Sequence, residues 1–216
     1  MQISRLVCRF SKVVLFVVFA VFLIAPHAMA AIGCDLNDPD RDVPRLFPGS
    51  TGYNTNYVSF ASSSGAKLLS KVEERLDRRY IPIYAPLNVP YTVYSVINDR
   101  KLIGYVHGVN QKGQYGGNQV FVSLDLTGKI KALYLQKISG KLAHRFREPK
   151  FGRQFIGISM KDFDSYDPIT GKGSGRLADI KNPAPEAETD FLSIMRALKK
   201  NLILMEEFGY LQGRKK

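Results

Sequence analysis

The chain has 216 residues, a length that normally forms one domain with a substantial core, and its 31 Lys and Arg residues against 19 Asp and Glu give a formal net charge of +12. Its two cysteines, Cys8 and Cys34, form no CxxC or CxxCH motif. The sequence therefore offers no ligand set for an iron–sulfur cluster or an attached haem.

Residues 1–30 have the organisation of a secretory signal peptide. Three basic residues precede an uncharged apolar run at residues 13–25, and residues 27–31 place small side chains at A-x-A spacing. The apolar run is shorter than the ~20 residues that a transmembrane helix needs. We therefore expect an exported protein, located in the periplasm or on the outer face of the membrane.

A second processing site is also compatible with this region. Ala31-Ile32-Gly33-Cys34 resembles a bacterial lipobox, which would make Cys34 a lipidated N-terminal residue. A lipobox normally abuts the apolar run, whereas Pro26 and His27 intervene here. The sequence leaves both alternatives open, a soluble form that begins near Ala31 and a lipoprotein that begins at Cys34.

The residues after the signal are rich in carboxylates, with four between Asp35 and Asp42. Closely spaced carboxylates suit a hard cation, but the turn glycine and the distal Glu of an EF-hand are missing. We interpret residues 31–46 as a polar N-terminal linker, residues 47–210 as one domain and residues 211–216 as a basic tail.

The first part of the domain predicts a strand, a helix and a second strand. Residues 56–61 have strand character, and residues 66–80 carry an apolar stripe opposite charged side chains, as an amphipathic helix does. Ile81-Pro82 ends this helix, and residues 91–97 alternate toward a hairpin at residues 98–100.

Residues 101–139 predict three further strands joined by two glycine-bearing turns, because their apolar side chains alternate with period two. Leu126-Thr127-Gly128-Lys129 has the composition of a tight hairpin turn. Gln114-Tyr115-Gly116-Gly117 differs, since two adjacent glycines beside an aromatic residue allow the backbone to approach another group closely.

The remainder of the chain predicts short helices at residues 141–146 and 161–165, a Gly-rich loop at residues 166–182 and a long terminal helix. Thr189 or Asp190 would cap that helix. Strands in succession, with helices before and after them, favour an α+β fold with a mainly antiparallel sheet flanked by an N-terminal and a C-terminal helix.

The order of four motifs resembles the FMN-binding domain of flavin subunits in sodium-translocating NADH:quinone reductases and Rnf-type electron-transport complexes. The motifs are Gly104-Tyr105-Val106, Tyr115-Gly116-Gly117, the segment from Asp125 to Ile130, and Phe151, Gln154, Phe155 and Gly157 at F-x-x-Q-F-x-G spacing. The resemblance covers about residues 45–208. It implies bound FMN, electron transfer and association with a membrane electron-transport complex.

The chain departs from this family immediately before its last helix. The family carries an S/T-G-A-T motif there, whose final hydroxyl is esterified to FMN, whereas residues 181–189 read KNPAPEAET. We therefore expect non-covalent FMN. The resemblance places Tyr115, Gly116 and Gly117 near the flavin, and the nearest candidates for its phosphate are Lys172, Ser174, Arg176 and Lys181.

Two functions remain open on the sequence. The first is an exported carrier that binds FMN and transfers electrons at the membrane face, and the second is a flavin-free binding or assembly subunit with the same fold. No nucleophile, general acid or metal-ligand set is indicated, so a redox carrier or accessory subunit is favoured over an independent enzyme. A solvated basic face accounts for most of the basic charge, which also suits an anionic membrane surface or an acidic redox partner, and export argues against nucleic acid.

Overall fold

The computed structural model describes residues 34–61 and 65–211, so the predicted signal peptide and all of the predicted basic tail except Leu211 lie outside the described residues. Five strands form one antiparallel sheet in the order β1-β2-β3-β4-β5. Neighbours in sequence are thus neighbours in the sheet, as successive hairpins require. The strands are β1 (Gly52–Val58), β2 (Tyr91–Asn98), β3 (Lys101–Gly113), β4 (Gly116–Leu124) and β5 (Ile130–Lys137).

Five α-helices and several short 3₁₀ turns accompany this sheet in the described part of the chain. The helices are α1 (Pro39–Leu46), α2 (Gly65–Arg75), α3 (Ala143–Phe146), α4 (Pro149–Arg153) and α5 (Glu188–Glu207). The predicted α+β class, with a mainly antiparallel sheet between N-terminal and C-terminal helices, is confirmed.

The long helix α5 forms the larger core against one face of the sheet. Its buried apolar side chains pack mainly on β3 and β4, and α2 packs on its outer side. Both Leu198 and Leu202 are fully buried. Burial of such side chains contributes about 1.5–3 kcal/mol each.

The opposite face of the sheet is covered by α1. Asp38 caps this helix by accepting a hydrogen bond from the backbone N–H of Arg41 at 3.2 Å, and Pro39 occupies its first turn. Val43 and Phe47 are buried against Tyr94 and its neighbours in a second core. The segment interpreted as a polar linker therefore contains a packed helix, because its described apolar residues Leu36, Val43 and Leu46 are buried in this core.

The element boundaries differ from the predictions in several places, and α5 begins at Glu188 after Ala187, so neither Thr189 nor Asp190 is its N-cap. The first strand is β1, which ends at Val58, whereas the prediction was residues 56–61. Helix α2 ends at Arg75 and is followed by a 3₁₀ helix at Arg78–Ile83. Asp77 explains the break, since its φ of 64° leaves the helical region and its side chain accepts from the N–H of Arg79.

None of the helices in the described part of the chain is both long enough and apolar enough to cross a membrane.

Candidate functional site

A cleft of about 420 Å³ runs along the outer edge of β5. Its floor is the strand itself, and its two walls are Arg45 of α1 and residues 146–156 around α3 and α4. Leu133, Phe146 and Ile156 contribute apolar surface to it. The volume lies within the range of about 300–1,000 Å³ that is typical of small-molecule sites.

Four cationic side chains line the same cleft, namely Arg45, Lys131, Arg147 and Arg153. The guanidinium of Arg147 donates hydrogen bonds to the backbone carbonyls of Leu135, at 3.4 Å, and of Ile138, at 3.2 Å. These neutral acceptors fix the position of the guanidinium but leave its charge uncompensated.

Carboxylates compensate little of this charge. Glu148, the one acidic residue of the lining, forms a salt bridge of 2.8 Å with Lys150. Lys131, Arg147 and Arg153 form no salt bridge with any described carboxylate. The cleft is therefore suited to an anionic group.

Arg45 is held differently from the other three cations. Its guanidinium carbon lies 4.0 Å from the centre of the Tyr134 ring, and its Nη2 lies 3.3 Å from Asp42. A guanidinium stacked on an aromatic face is attracted by the ring quadrupole and stays in place. Arg45 therefore forms an ordered wall, with part of its charge compensated by Asp42.

The predicted Tyr-Gly-Gly segment forms the tip of the β3–β4 hairpin. Gly113 pairs with Gly116, so Gln114 and Tyr115 make the two-residue turn. The Tyr115 ring is 65% exposed and lies against Gly140, where an added Cβ would be only 2.8 Å from the ring. Gly116 has a φ of +135°, which favours glycine, whereas Gly117 has open space at its Cβ position and no such φ.

Two of the four predicted phosphate contacts lie against the wall of the cleft. Arg176 donates a hydrogen bond of 2.7 Å to the carbonyl of Ile156, and the backbone of Lys181 pairs with the Gln154 side chain at 2.8 and 3.1 Å. Lys172 and Ser174 lie on the exposed preceding loop.

None of the seven residues predicted to bind the cofactor belongs to the lining of the cleft. Their roles in cofactor binding stay predictions. The structure brings Arg176 and Lys181 to one wall and places Tyr115 on a separate hairpin tip.

The start of α5, where the family resemblance of the sequence implies attachment of FMN, does not fit a phosphate in this chain. Glu186 and Glu188 lie at the helix start, and the buried Asp190 belongs to its first turn. Asp190 already accepts hydrogen bonds from the Gln114 N–H, at 3.0 Å, and from the Asn118 side chain, at 3.2 Å. These carboxylates oppose the attraction that a helix N-terminus exerts on a phosphate.

A polar seam is buried between α5 and the sheet. His107 is fully buried, and its Nδ1–H donates to Asn201 at 2.8 Å while the Asn201 amide donates to the His107 carbonyl at 3.0 Å. Burial lowers the pKa of His107 to about 4, so the imidazole is neutral at physiological pH. Its Nε2 has no hydrogen-bond partner among the described residues.

Lys200 and Cys34 are buried near this seam. The ammonium of Lys200 donates a 2.6 Å hydrogen bond to the Asn110 carbonyl, and burial lowers the pKa of Lys200 to about 7. Cys34 is 2% exposed, and its backbone forms an isolated parallel β-bridge with Tyr91. Burial raises the pKa of its thiol to about 12. A lipid on the Cys34 sulfur would require this side chain to leave its position, and lipidation stays a prediction.

Within residues 34–61 and 65–211, no group of three or more His, Cys, Asp or Glu side chains is arranged to hold a metal ion.

No protein-family model matches this sequence, and no curated protein sequence matches it significantly. The structure is nevertheless similar to the crystal structure of NqrC from Shewanella oneidensis, with a TM-score of 0.50. The superposition covers 83% of this chain and 91% of NqrC, at 13% sequence identity. The fold is NqrC-like. The fold implied by the order of the four motifs is therefore confirmed, whereas identity this low carries no function by itself.

Sequence reasoning missed the cations of the cleft as a site. A signal was present, since basic residues are dense between Lys141 and Arg153. The pattern alone does not separate a binding site from a solvated basic face, because Arg45 and Lys131 join the group only in the folded chain.

Proposed function

We propose that this protein is an exported electron-transfer protein that binds FMN non-covalently in the cleft along β5. NqrC, whose fold it shares, is an FMN-binding flavin subunit of the sodium-translocating NADH:quinone reductase. The observation that carries the proposal is a cleft of about 420 Å³ on this fold, lined by uncompensated cations and by a few apolar side chains such as Leu133 and Ile156.

The residues of the cleft match the two parts of FMN. Leu133, Phe146 and Ile156 offer apolar surface for the flavin ring, and Arg147 and Arg153 offer charge-assisted hydrogen bonds for the dianionic phosphate. Bound FMN would supply the redox chemistry, and the protein would bind it, orient it and limit its contact with water. We assign no catalytic residue to the chain.

Two observations support non-covalent binding. The sequence has no S/T-G-A-T motif, and Thr189 at the start of α5 is flanked by Glu188 and Asp190. Thr170, the other threonine of this region, donates its hydroxyl to Asp167 at 2.9 Å. None of these hydroxyls stands beside the cations that would hold a phosphate.

We place the protein outside the cytoplasm, at the membrane face, with a membrane electron-transport complex as its partner. The signal-like residues 1–30 and the excess of basic residues in the chain support this location. The redox-carrier role is favoured over that of an independent enzyme because the chain lacks a recognisable catalytic arrangement.

The alternative is a flavin-free subunit that keeps the fold for binding or assembly. The carboxylates at the start of α5 favour it, since they occupy the place where the related flavoproteins attach FMN. In that case the cleft would serve another anionic ligand or partner.

The test is reconstitution of the purified protein with FMN, followed by removal of free flavin and a visible spectrum. We expect retained flavin absorbance, complete release of the flavin by acid or organic solvent, and a polypeptide of unmodified mass. Failure to retain FMN would support the flavin-free alternative. A peptide that keeps the mass of FMN on Thr170, Ser174 or Thr189 would contradict non-covalent binding.

A further inference from the structure

The positive charge of this protein is concentrated in one segment of the fold. Residues 129–153 contain eight Lys and Arg residues and a single carboxylate, Glu148. All other described residues together carry 17 basic and 18 acidic side chains, so they are close to neutral. The net positive charge of the described residues therefore comes from residues 129–153.

This segment lies on one side of the molecule. It consists of the edge strand β5 and the helices α3 and α4, which form the floor and one wall of the cleft. The cations outside the lining extend the positive surface beyond it, and Lys129, Lys137 and Lys141 are exposed. None of these three forms a salt bridge with a described carboxylate.

Carboxylates inside and outside the segment compensate its charge only weakly. Arg145 and Glu186 approach only to 3.8 Å, with side chains 41% and 69% exposed, and Lys150 pairs with Glu148 at 2.8 Å. Exposed pairs of this kind are worth at most about 1 kcal/mol and leave the potential of their neighbours largely intact. A surface that concentrates one sign of charge attracts partners of the opposite sign.

We propose that the surface formed by residues 129–153 docks an acidic segment of a partner protein across the cleft. The cations border a concave cleft, which accommodates protruding side chains of a polypeptide. Docking of this kind would rest mainly on attraction between the exposed lysines and the carboxylates of the partner.

The shape and the distribution of apolar residues favour a protein over a membrane surface. Cations alone attract anionic membranes, and a surface that inserts into a membrane adds a cluster of exposed apolar side chains. Among the described residues, the exposed large hydrophobic side chains are scattered over different elements, and Ile156 is the one that lines the cleft. They are Tyr57, Leu102, Tyr115, Leu126, Ile156 and Ile169.

The docking proposal does not require bound flavin. FMN would neutralise at most part of the charge in the cleft, and the exposed lysines at its rim would remain available to the partner. The same binding experiment is therefore run on protein with and without FMN, so that a failure to bind FMN and a failure to dock remain distinguishable.

The experiment measures binding of a labelled ten-residue peptide of alternating Glu and Ala residues by fluorescence anisotropy at low salt. The rim variant carries Lys129→Gln, Lys137→Gln and Lys141→Gln. The matched control carries Lys67→Gln, Lys71→Gln and Lys161→Gln, three lysines that are also exposed and have no described salt bridge. Circular dichroism and thermal unfolding establish that both variants are folded.

We expect the rim variant to bind the peptide roughly tenfold more weakly than the parent, and the control variant to remain within about twofold. Added salt should reduce the difference, because the Debye length falls to about 10 Å at 0.1 M. Equal weakening by both sets of substitutions, or no binding by the parent, would overturn the proposal. Binding of phosphatidylglycerol vesicles through the rim lysines, without binding of the peptide, would overturn it in favour of a membrane surface.

Discussion

Asp190, in the first turn of α5, accepts a hydrogen bond of 3.0 Å from the backbone N–H of Gln114 at the tip of the β3–β4 hairpin. The same carboxylate accepts from the side chain of Asn118 at 3.2 Å and is only 3% exposed. The start of the last helix and the tip of the central hairpin are thus joined through one buried side chain.

The substitution Asp190→Ala is expected to lower the free energy of unfolding by roughly 2 kcal/mol. It leaves the N–H of Gln114 and one N–H of Asn118 without their acceptor in a buried site. Denaturant unfolding measures the loss, and Thr189→Ala, at the exposed neighbouring position, is the control. A loss that is no larger than in the control would show that this contact contributes nothing to stability.

Lys200 is expected to make the protein more stable as the pH rises from 7 to 9. Its folded pKa of about 7 lies below the ordinary value of 10.5, so in this range the unfolded chain binds more protons than the folded chain. Stability should therefore rise by roughly 1 kcal/mol per pH unit. The variant Lys200→Met should lose this slope, whereas Lys161→Met, at an exposed position, should keep it.

Two other buried groups near Lys200 change protonation state mainly outside the range of pH 7 to 9. His107, with a pKa lowered from 6.5 to about 4, adds stability that is lost as the pH falls below about 6.5. The Cys34 thiol, with a pKa raised from 9.0 to about 12, removes stability above pH 9. Burial also lowers the pKa of Lys199 from 10.5, so it is the difference between the parent and Lys200→Met, measured at several pH values between 7 and 9, that isolates Lys200. An unchanged slope in Lys200→Met would contradict this assignment.

The Cys34 thiol is expected to react slowly with a maleimide in the native protein and rapidly after denaturation. Its 2% exposure blocks access, and its raised pKa keeps the thiolate scarce. Rapid labelling of the native protein would contradict the buried position. A protein that still lacks a reactive thiol after denaturation would instead support lipidation at Cys34.

The substitution Gly117→Val distinguishes the cleft from the hairpin tip as the flavin site. The added side chain meets open space, and the φ of Gly117 does not require glycine, so stability should change by less than about 1 kcal/mol. FMN in the cleft should bind within about twofold of the parent affinity. A loss of FMN affinity that exceeds the loss of stability would support the hairpin tip that the family resemblance implies.

Local patterns in the sequence predicted much of the fold. Gly128 has the positive φ, +80°, that the hairpin turn required, and Asp125 stabilises that turn by accepting from the N–H groups of Thr127 and Lys129. The residues that determine these features are neighbours in the chain, so a local sequence pattern can predict them.

The cleft depends on residues that are distant in the chain. Arg45 reaches Tyr134 only because α1 packs on the second face of the sheet, and the apolar residues of α1 are too few to predict that packing. Arg147 joins the site through carbonyls of β5 and the residue after it. Long-range packing of this kind leaves no periodic signal in the sequence.

The most direct test of the proposed function is a comparative titration of the protein with FMN and with riboflavin, which lacks the phosphate. The double variant Arg147→Gln, Arg153→Gln removes two cations of the cleft, and Lys67→Gln, Lys71→Gln is the control. Because Arg147 also holds two carbonyls, Arg153→Gln alone provides a second variant with less risk to folding.

We predict that the parent binds FMN more tightly than riboflavin and that the double variant loses at least roughly tenfold in FMN affinity, since hydrogen bonds to a charged group contribute about 1.5–3 kcal/mol each. Riboflavin affinity should stay within about twofold in both variants. Equal affinity of the parent for FMN and riboflavin, or an unchanged FMN affinity in the double variant, would contradict a phosphate site in the β5 cleft.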